Sequence, residues 1–180
     1  MFNQVSTHTK RSRPPRKINT SAELPSDLKT VLKNSVLVTF SFSTLDKEVA
    51  KIFEPGALSP RDRLKALAKI KDAGFTAGIA FIPILPFITD SELETMVKTA
   101  KELGSDYVFF APLTLYGEGK KIYLRIIEEK FPELSAKYNE LYRDKFSPPK
   151  WYTSSFYKRV LYHTAKYNLK FGLTKIRIGL

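Results

Sequence analysis

Three kinds of residue in this chain can do chemistry. The first is a lysine, Lys10, placed after Thr9 at the end of a possible first strand. An ammonium there can be aimed at a carboxylate or a phosphate. On spacing alone it also reads as one member of a basic tail, because Arg11, Arg13, Arg16 and Lys17 follow. The second is a hydroxyl cluster, Ser41, Ser43 and Thr44, just after the β-branched and aromatic run Val36 to Phe40. Such groups hydrogen-bond the polar edges of a ligand, or else Thr44 and Asp46 cap the next helix. The third is the carboxylate set Asp46, Glu48 and Glu54, whose residue types more often sit in solvated loops.

The exclusions are sharper. There is no cysteine and there are two histidines, His8 and His163. That removes a disulfide scaffold, a thiolate zinc site, a cysteine nucleophile and a cysteine-held iron–sulfur cluster from this chain. No phosphate-cradling glycine loop, nucleophile elbow or paired-histidine metalloprotease motif occurs. Gly117-Glu118-Gly119 is a loop signal only. The residues alone therefore assign no catalytic residue and no metal ligand.

The elements that must position these groups alternate. Val36 to Phe40 reads as a strand. Ser59-Pro60 opens a helix with Ser as cap and Pro in the first turn, and Gly74 closes it. Phe75 to Pro83 is apolar on both faces, the pattern of a buried parallel strand. Thr89 or Asp90 is expected to cap a helix whose apolar face is Leu93, Met96, Val97, Ala100 and Leu103, ended by Gly104. Asp106 to Leu113 is a further strand, and a long helix runs from about Gly119, interrupted or restarted at Pro132. Gly74 and Gly104 stand 30 residues apart, a βα-unit period. The fold class is α/β, with a parallel sheet and helices outside. An open doubly wound sheet and a barrel segment both satisfy it, and in either a ligand sits at the C-terminal strand ends.

Charge is gathered at the termini. The net charge is +12. Residues 1–20 hold five Lys/Arg and no acid, and residues 141–180 hold nine with one acid, Asp144, so the middle is close to neutral. A basic surplus of this kind points to a polyanionic partner such as nucleic acid. The last stretch interleaves Trp151, Tyr152, Phe156, Tyr157, Tyr162, Tyr167 and Phe171 with basic residues. It reads as a helix packed with its aromatics inward, or as a stacking surface for single-stranded nucleic acid. The most apolar run, Phe75 to Ile88, is shorter than the roughly 20 residues a membrane helix needs, and the N-terminus has no apolar signal core. A cytoplasmic protein, not associated with a membrane, is the expectation.

Longer motifs carry a family resemblance. They are Phe40-Ser41-Phe42-Ser43-Thr44-Leu45-Asp46, then Glu54 through Leu64, Ala73-Gly74-Phe75 and Phe81-Ile82-Pro83-Ile84-Leu85-Pro86. With Thr9-Lys10 and the terminal Leu169 to Leu173, their order and spacing resemble the second half of radical S-adenosylmethionine proteins of the spore photoproduct lyase-like, or DNA-repair-photolyase-like, group. The resemblance covers nearly the whole chain. It implies a partial parallel (β/α) barrel of about four strands, the third to sixth of six, over residues 1–145. A basic, aromatic-rich helical segment over 146–180 would pack on it. It implies S-adenosylmethionine as cofactor, with Lys10 and Ser41 contacting it, Ser43 beside them, and Ile82 and Pro83 lining the adenosine side. The family's [4Fe–4S] cluster has no ligands in this chain, so the resemblance implies the C-terminal part of such a protein, inactive alone in the family's radical-generating cleavage. A cluster-bearing partner chain, a homo-oligomer or nucleic acid are the partners it admits. A non-catalytic basic nucleic-acid-binding module is the alternative. The chain departs from the family at Gly56, where an arginine usually follows Glu-Pro.

Overall fold

The computed structural model describes residues 36–173, and Lys10 with the Thr9-Lys10 strand lies outside them. Among the described residues the chain forms a three-stranded parallel sheet and six α-helices. The strands are β1 (Leu37–Phe42), β2 (Thr76–Ile84) and β3 (Val108–Pro112), in that spatial order. The helices are α1 (Lys47–Phe53), α2 (Pro60–Asp72), α3 (Leu93–Glu102), α4 (Gly117–Lys130), α5 (Ser135–Tyr142) and α6 (Lys150–Lys166), with a 3-10 turn at Pro132–Leu134. No helix among them is long and apolar enough to cross a membrane.

The two faces of the sheet differ in chemistry. On one, Val38, Phe40 and Phe42 of β1, Ala77, Ile79 and Phe81 of β2, and Val108 and Phe110 of β3 are buried in the apolar core. The Phe42, Phe81 and Phe110 rings run in series across the three strands, with centroids 5.9 and 5.0 Å apart. Leu67 of α2 and Met96, Val97 and Ala100 of α3 join the same core. The opposite face carries Thr39, Ser41, Ala80, Phe109 and Ala111, all half-buried, and Ile82, which is 41% exposed. Side chains alternate across a strand, so register alone separates the two sets.

Helix boundaries follow local chemistry. Asp46 caps α1 by accepting from the Glu48 and Val49 amides, at 2.7 and 2.9 Å. The Ser59 hydroxyl accepts from the Asp62 amide at 3.2 Å and starts α2, with Pro60 in its first turn. Gly74 and Gly104 take φ of +81° and +68° just past α2 and α3, a left-handed conformation that glycine reaches without Cβ strain.

Three expectations are corrected. Neither Thr89 nor Asp90 caps α3. Glu92 holds the cap position without a side-chain cap bond, while the buried Thr89 hydroxyl accepts from the Leu85 amide at 2.9 Å inside the preceding turn. The long helix starts at Gly117 rather than Gly119. Finally, Leu169 to Leu173 does not continue a terminal helix. The Val108 amide donates to the Lys170 carbonyl at 2.8 Å and the Gly172 amide to the Val108 carbonyl at 2.9 Å, so Phe171 makes a parallel bridge beside β3. The helix ends because Asn168 turns into the left-handed region, φ +46°, after Lys166.

The aromatic helix α6 divides as an amphipathic helix must. Tyr152, Phe156, Val160 and Thr164, spaced four apart, are buried, whereas Trp151 and Tyr162 are exposed. It is fastened at both ends. Tyr152 Oη donates to Asp90 Oδ2 at 2.9 Å, and the Arg159 guanidinium donates to the Asp90 carbonyl at 2.9 Å. Near its C-terminus Lys166 and the following Tyr167 both donate to Glu94, at 2.6 and 2.9 Å.

Candidate functional site

Parallel strands place their C-terminal ends on one edge of the sheet, and three of the expected site residues meet there. Ser41 is the penultimate residue of β1 and pairs in register with Ala80 of β2. Its hydroxyl donates to the Ile82 carbonyl at 3.1 Å, bridging the ends of the two strands. Pro83 follows Ile82, and the β2–β3 register becomes irregular between Phe81 and Ile84. Ser41, Ala80 and Phe109 stand level across the sheet on its half-buried face, with Ile82 and Ala111 two residues further along their strands. These side chains are small or apolar, and the Ser41 oxygen keeps acceptor capacity beyond its one donated bond.

Ser43 is close in sequence but differently committed. It is 3% exposed, and Glu54 Oε1 accepts from both its amide and its hydroxyl, at 2.7 and 2.6 Å. The other Glu54 oxygen pairs with Arg63, whose second terminal nitrogen donates to the Ser41 carbonyl. Arg63 is 6% exposed and lies over the Phe42 ring, 4.6 Å from its centroid. The buried Arg63 and the half-buried Glu54 thus form one bracket that holds the backbone of Ser41 and Ser43. A charge pair survives burial better when hydrogen bonds satisfy its remaining atoms. Here the serine groups satisfy Glu54 Oε1 and one terminal nitrogen of Arg63, while Arg63 Nε is buried without a partner. Of the three carboxylates weighed as a possible pair, Glu54 belongs to this bracket, Asp46 caps α1, and Glu48 pairs with Lys51 at 2.9 Å on the surface.

Sequence reasoning did not anticipate Glu92. Its carboxylate accepts from the buried Thr44 hydroxyl, at 3.1 and 3.2 Å, and from the Leu45 amide at 3.2 Å, tying the start of α3 to the loop after β1. Burial pushes its pKa above the ordinary carboxylate value, the hydrogen bonds from Leu45 and Thr44 oppose the rise, and Asp46 adds to it. The sequence signal was an acid directly before a strongly apolar helix face, which reads equally well as solvated.

Beneath the Ser41 level the face is closed. Tyr107, fully buried just before β3, hydrogen-bonds Thr39 at 2.7 Å and donates weakly to the Val38 carbonyl at 3.3 Å. Around the strand ends, the Tyr138 hydroxyl donates to the Pro86 carbonyl at 2.6 Å and the Tyr142 hydroxyl to the Leu113 carbonyl at 2.8 Å. Burial raises both phenols well above their ordinary range, so they stay protonated donors. The loops after β2 and β3 are thereby fixed to α5. Among the described residues no group of three or more histidines, cysteines, aspartates or glutamates is placed to hold a metal ion.

Comparison with known proteins identifies a family through one family model. The family model described as the radical SAM superfamily matches residues 7–100, which take in Lys10, β1, β2 and most of α3. An uncharacterized protein of Acidianus two-tailed virus is 29% identical over 138 residues, 70% of this chain and 46% of that protein. Uncharacterized proteins of Mycobacterium bovis and of Mycobacterium tuberculosis are each 29% identical over 149 residues, 82% of this chain and 44% of theirs. The chain spans less than half the length of these relatives. No solved structure matches.

Proposed function

This chain belongs to the radical SAM superfamily, and from that premise we propose that it is a substrate- and cofactor-facing part of a spore photoproduct lyase-like protein. The three parallel strands are then a segment of a partial (β/α) barrel, with the Thr39–Ser41 face turned to its interior. α6 forms the outer segment packed on it. The observation that carries the reading is the strand-end position of Ser41, bridged to Ile82 on the one sheet face left half-open.

The residues present fit S-adenosylmethionine and do not fit its usual iron–sulfur companion. Ser41 can accept a hydrogen bond from the cofactor's amino or ribose groups, while Ala80, Ile82 and Pro83 leave an apolar edge for adenosine. Lys10, by family resemblance, supplies an ammonium for the carboxylate. Ser43 acts through Glu54 as a positioning residue rather than a contact. With zero cysteines in the sequence, no thiolate set can hold a [4Fe–4S] cluster here. On this reading the cluster ligands lie outside these 180 residues, and no reaction step is assigned to these residues alone. S-adenosylmethionine would supply hydrogen-abstraction chemistry only with an electron delivered by a cluster held outside these residues, and that chemistry belongs to the cofactors. This chain's own part is to bind, orient and shelter it.

Calorimetric titration of the purified chain with S-adenosylmethionine tests this division of labour. Without the cluster that grips the cofactor's amino and carboxylate groups, several charge-assisted bonds of about 1.5–3 kcal/mol each are missing, and binding is expected to be millimolar or weaker. Micromolar affinity for the chain alone would contradict the need for a second half.

A further inference from the structure

The sequence placed its possible stacking surface on the aromatic helix α6, but the structure offers a better-built one elsewhere. Tyr116 and Phe146, 30 residues apart, stack with ring centroids 4.9 Å apart and planes 26° from parallel. They are 60% and 56% exposed, so each ring has a partner on one side and water on the other. Burying such rings stabilises a fold, and leaving a matched pair in solvent costs that stabilisation unless something else covers it.

The pair is rigidly mounted. The Leu115 amide donates to the Phe146 carbonyl at 2.8 Å, joining the loop after β3 to the loop after α5. Lys120 Nζ donates to the carbonyls of Tyr142 and Arg143, both at 2.7 Å, and of Lys145 at 3.3 Å. Tyr116 lies four residues past β3, at the strand-end edge that also holds Ser41. Arg143, Lys145 and Lys150 surround Phe146 in sequence and are exposed, against one acid, Asp144. No acid follows Asp144 to the end of the chain.

We propose that the Tyr116–Phe146 pair is a base-stacking platform for a single-stranded nucleic acid, with Arg143, Lys145 and Lys150 contacting its phosphates. A preformed aromatic face accepts any nucleobase, and the surrounding cations track the backbone. The inference rests on the strand-end edge being the working face, as proposed above, but it requires no bound S-adenosylmethionine. Its test is therefore separate from the calorimetry.

The discriminating probe is a short oligothymidylate compared with an abasic oligomer of equal length, each titrated into the full chain at low salt by fluorescence anisotropy. Both oligomers offer the same phosphates to the basic residues, and on this proposal the platform distinguishes the one that carries bases. The base-bearing strand is expected to bind about tenfold or more tightly than the abasic one. Tyr116→Ala/Phe146→Ala should erase that difference and leave abasic binding unchanged. Tyr116→Phe/Phe146→Tyr should preserve it, since stacking needs the rings and not a particular hydroxyl. Equal binding of the two oligomers by the parent chain, absence of binding, or an unchanged preference in the double alanine variant would each overturn the proposal. So would self-association of the parent chain that the double alanine variant abolishes, which would assign the pair to a second copy.

Discussion

The ring of Tyr107 fills the space a side chain at Gly78 would occupy: an ideal Cβ on Gly78 would lie 2.4 Å from two of its ring carbons. Gly78 pairs with Thr39 in register, and Thr39 hydrogen-bonds the same tyrosine. One glycine therefore lets a phenol from β3's leading edge lie across β2 and close the sheet face below Ser41.

Gly78→Ala should be strongly destabilising, by about 1–3 kcal/mol from overpacking, because neither the strand backbone nor a fully buried ring has room to give. Pairing it with Tyr107→Ala should cost clearly less than the two single changes added together, since the clash vanishes with the ring. Urea unfolding of the four proteins measures the coupling. Strict additivity would mean the notch has no packing role.

Arg63→Met removes the charge that pairs with Glu54 and the donor to the Ser41 carbonyl. Breaking a fully buried pair from one side costs about 3–5 kcal/mol, and because Glu54 is half-buried the expected loss lies below the top of that range. Here the strand-end loop through Ser43 should loosen as well, seen as faster amide exchange at Ser43. Adding Glu54→Gln to Arg63→Met should recover part of the loss, because the orphaned carboxylate is neutralised. If Arg63→Met is as stable as the parent, the bracket does not hold the strand end.

Glu92 gives a pH signature of definite sign. Its pKa is raised in the folded chain by burial, so the fold favours the protonated form. Its contribution to stability is most favourable below the unfolded carboxylate value of 4.5. It diminishes as pH rises from there through the folded value. Glu92→Gln keeps an acceptor for Thr44 and Leu45 without the charge. Relative to the parent, this variant should therefore gain stability as pH rises through that window. A parent-minus-variant difference that is flat with pH, or of opposite slope, would refute the burial account.

Local chemistry made much of the fold legible. The α2 boundaries follow from Ser59-Pro60 and Gly74. The apolar stripe Leu93, Met96, Val97 and Ala100 is buried as its spacing requires, and β2 reads as buried because it is apolar on both faces. What stayed hidden depends on partners distant in sequence. Arg63 looks solvated beside Arg61 and Asp62, and only Glu54 and the Ser41 carbonyl explain its burial. Ser43 looks as available as Ser41 until Glu54 takes its hydroxyl. Glu92 was invisible as a tie between α3 and the β1 loop because Thr44 lies 48 residues away. The Tyr116–Phe146 contact spans two helices that no periodicity relates. Of the expected site, Ser41, Ile82 and Pro83 come together at one strand end, Ser43 supports it from within, and Lys10 lies outside the described residues.

The central claim is that S-adenosylmethionine is held at the Ser41 edge of the sheet. Adding the cofactor at low-millimolar concentration to ¹⁵N-labelled chain, and following amide shifts, tests it most directly. The account predicts shifts concentrated at Ser41, Ala80, Ile82 and Phe109 and at Lys10. Ser41→Ala should weaken them by about fivefold for one lost hydrogen bond, and Lys10→Met should abolish them. Shifts centred elsewhere, such as on α6, or a Ser41→Ala titration identical to the parent's, would contradict it.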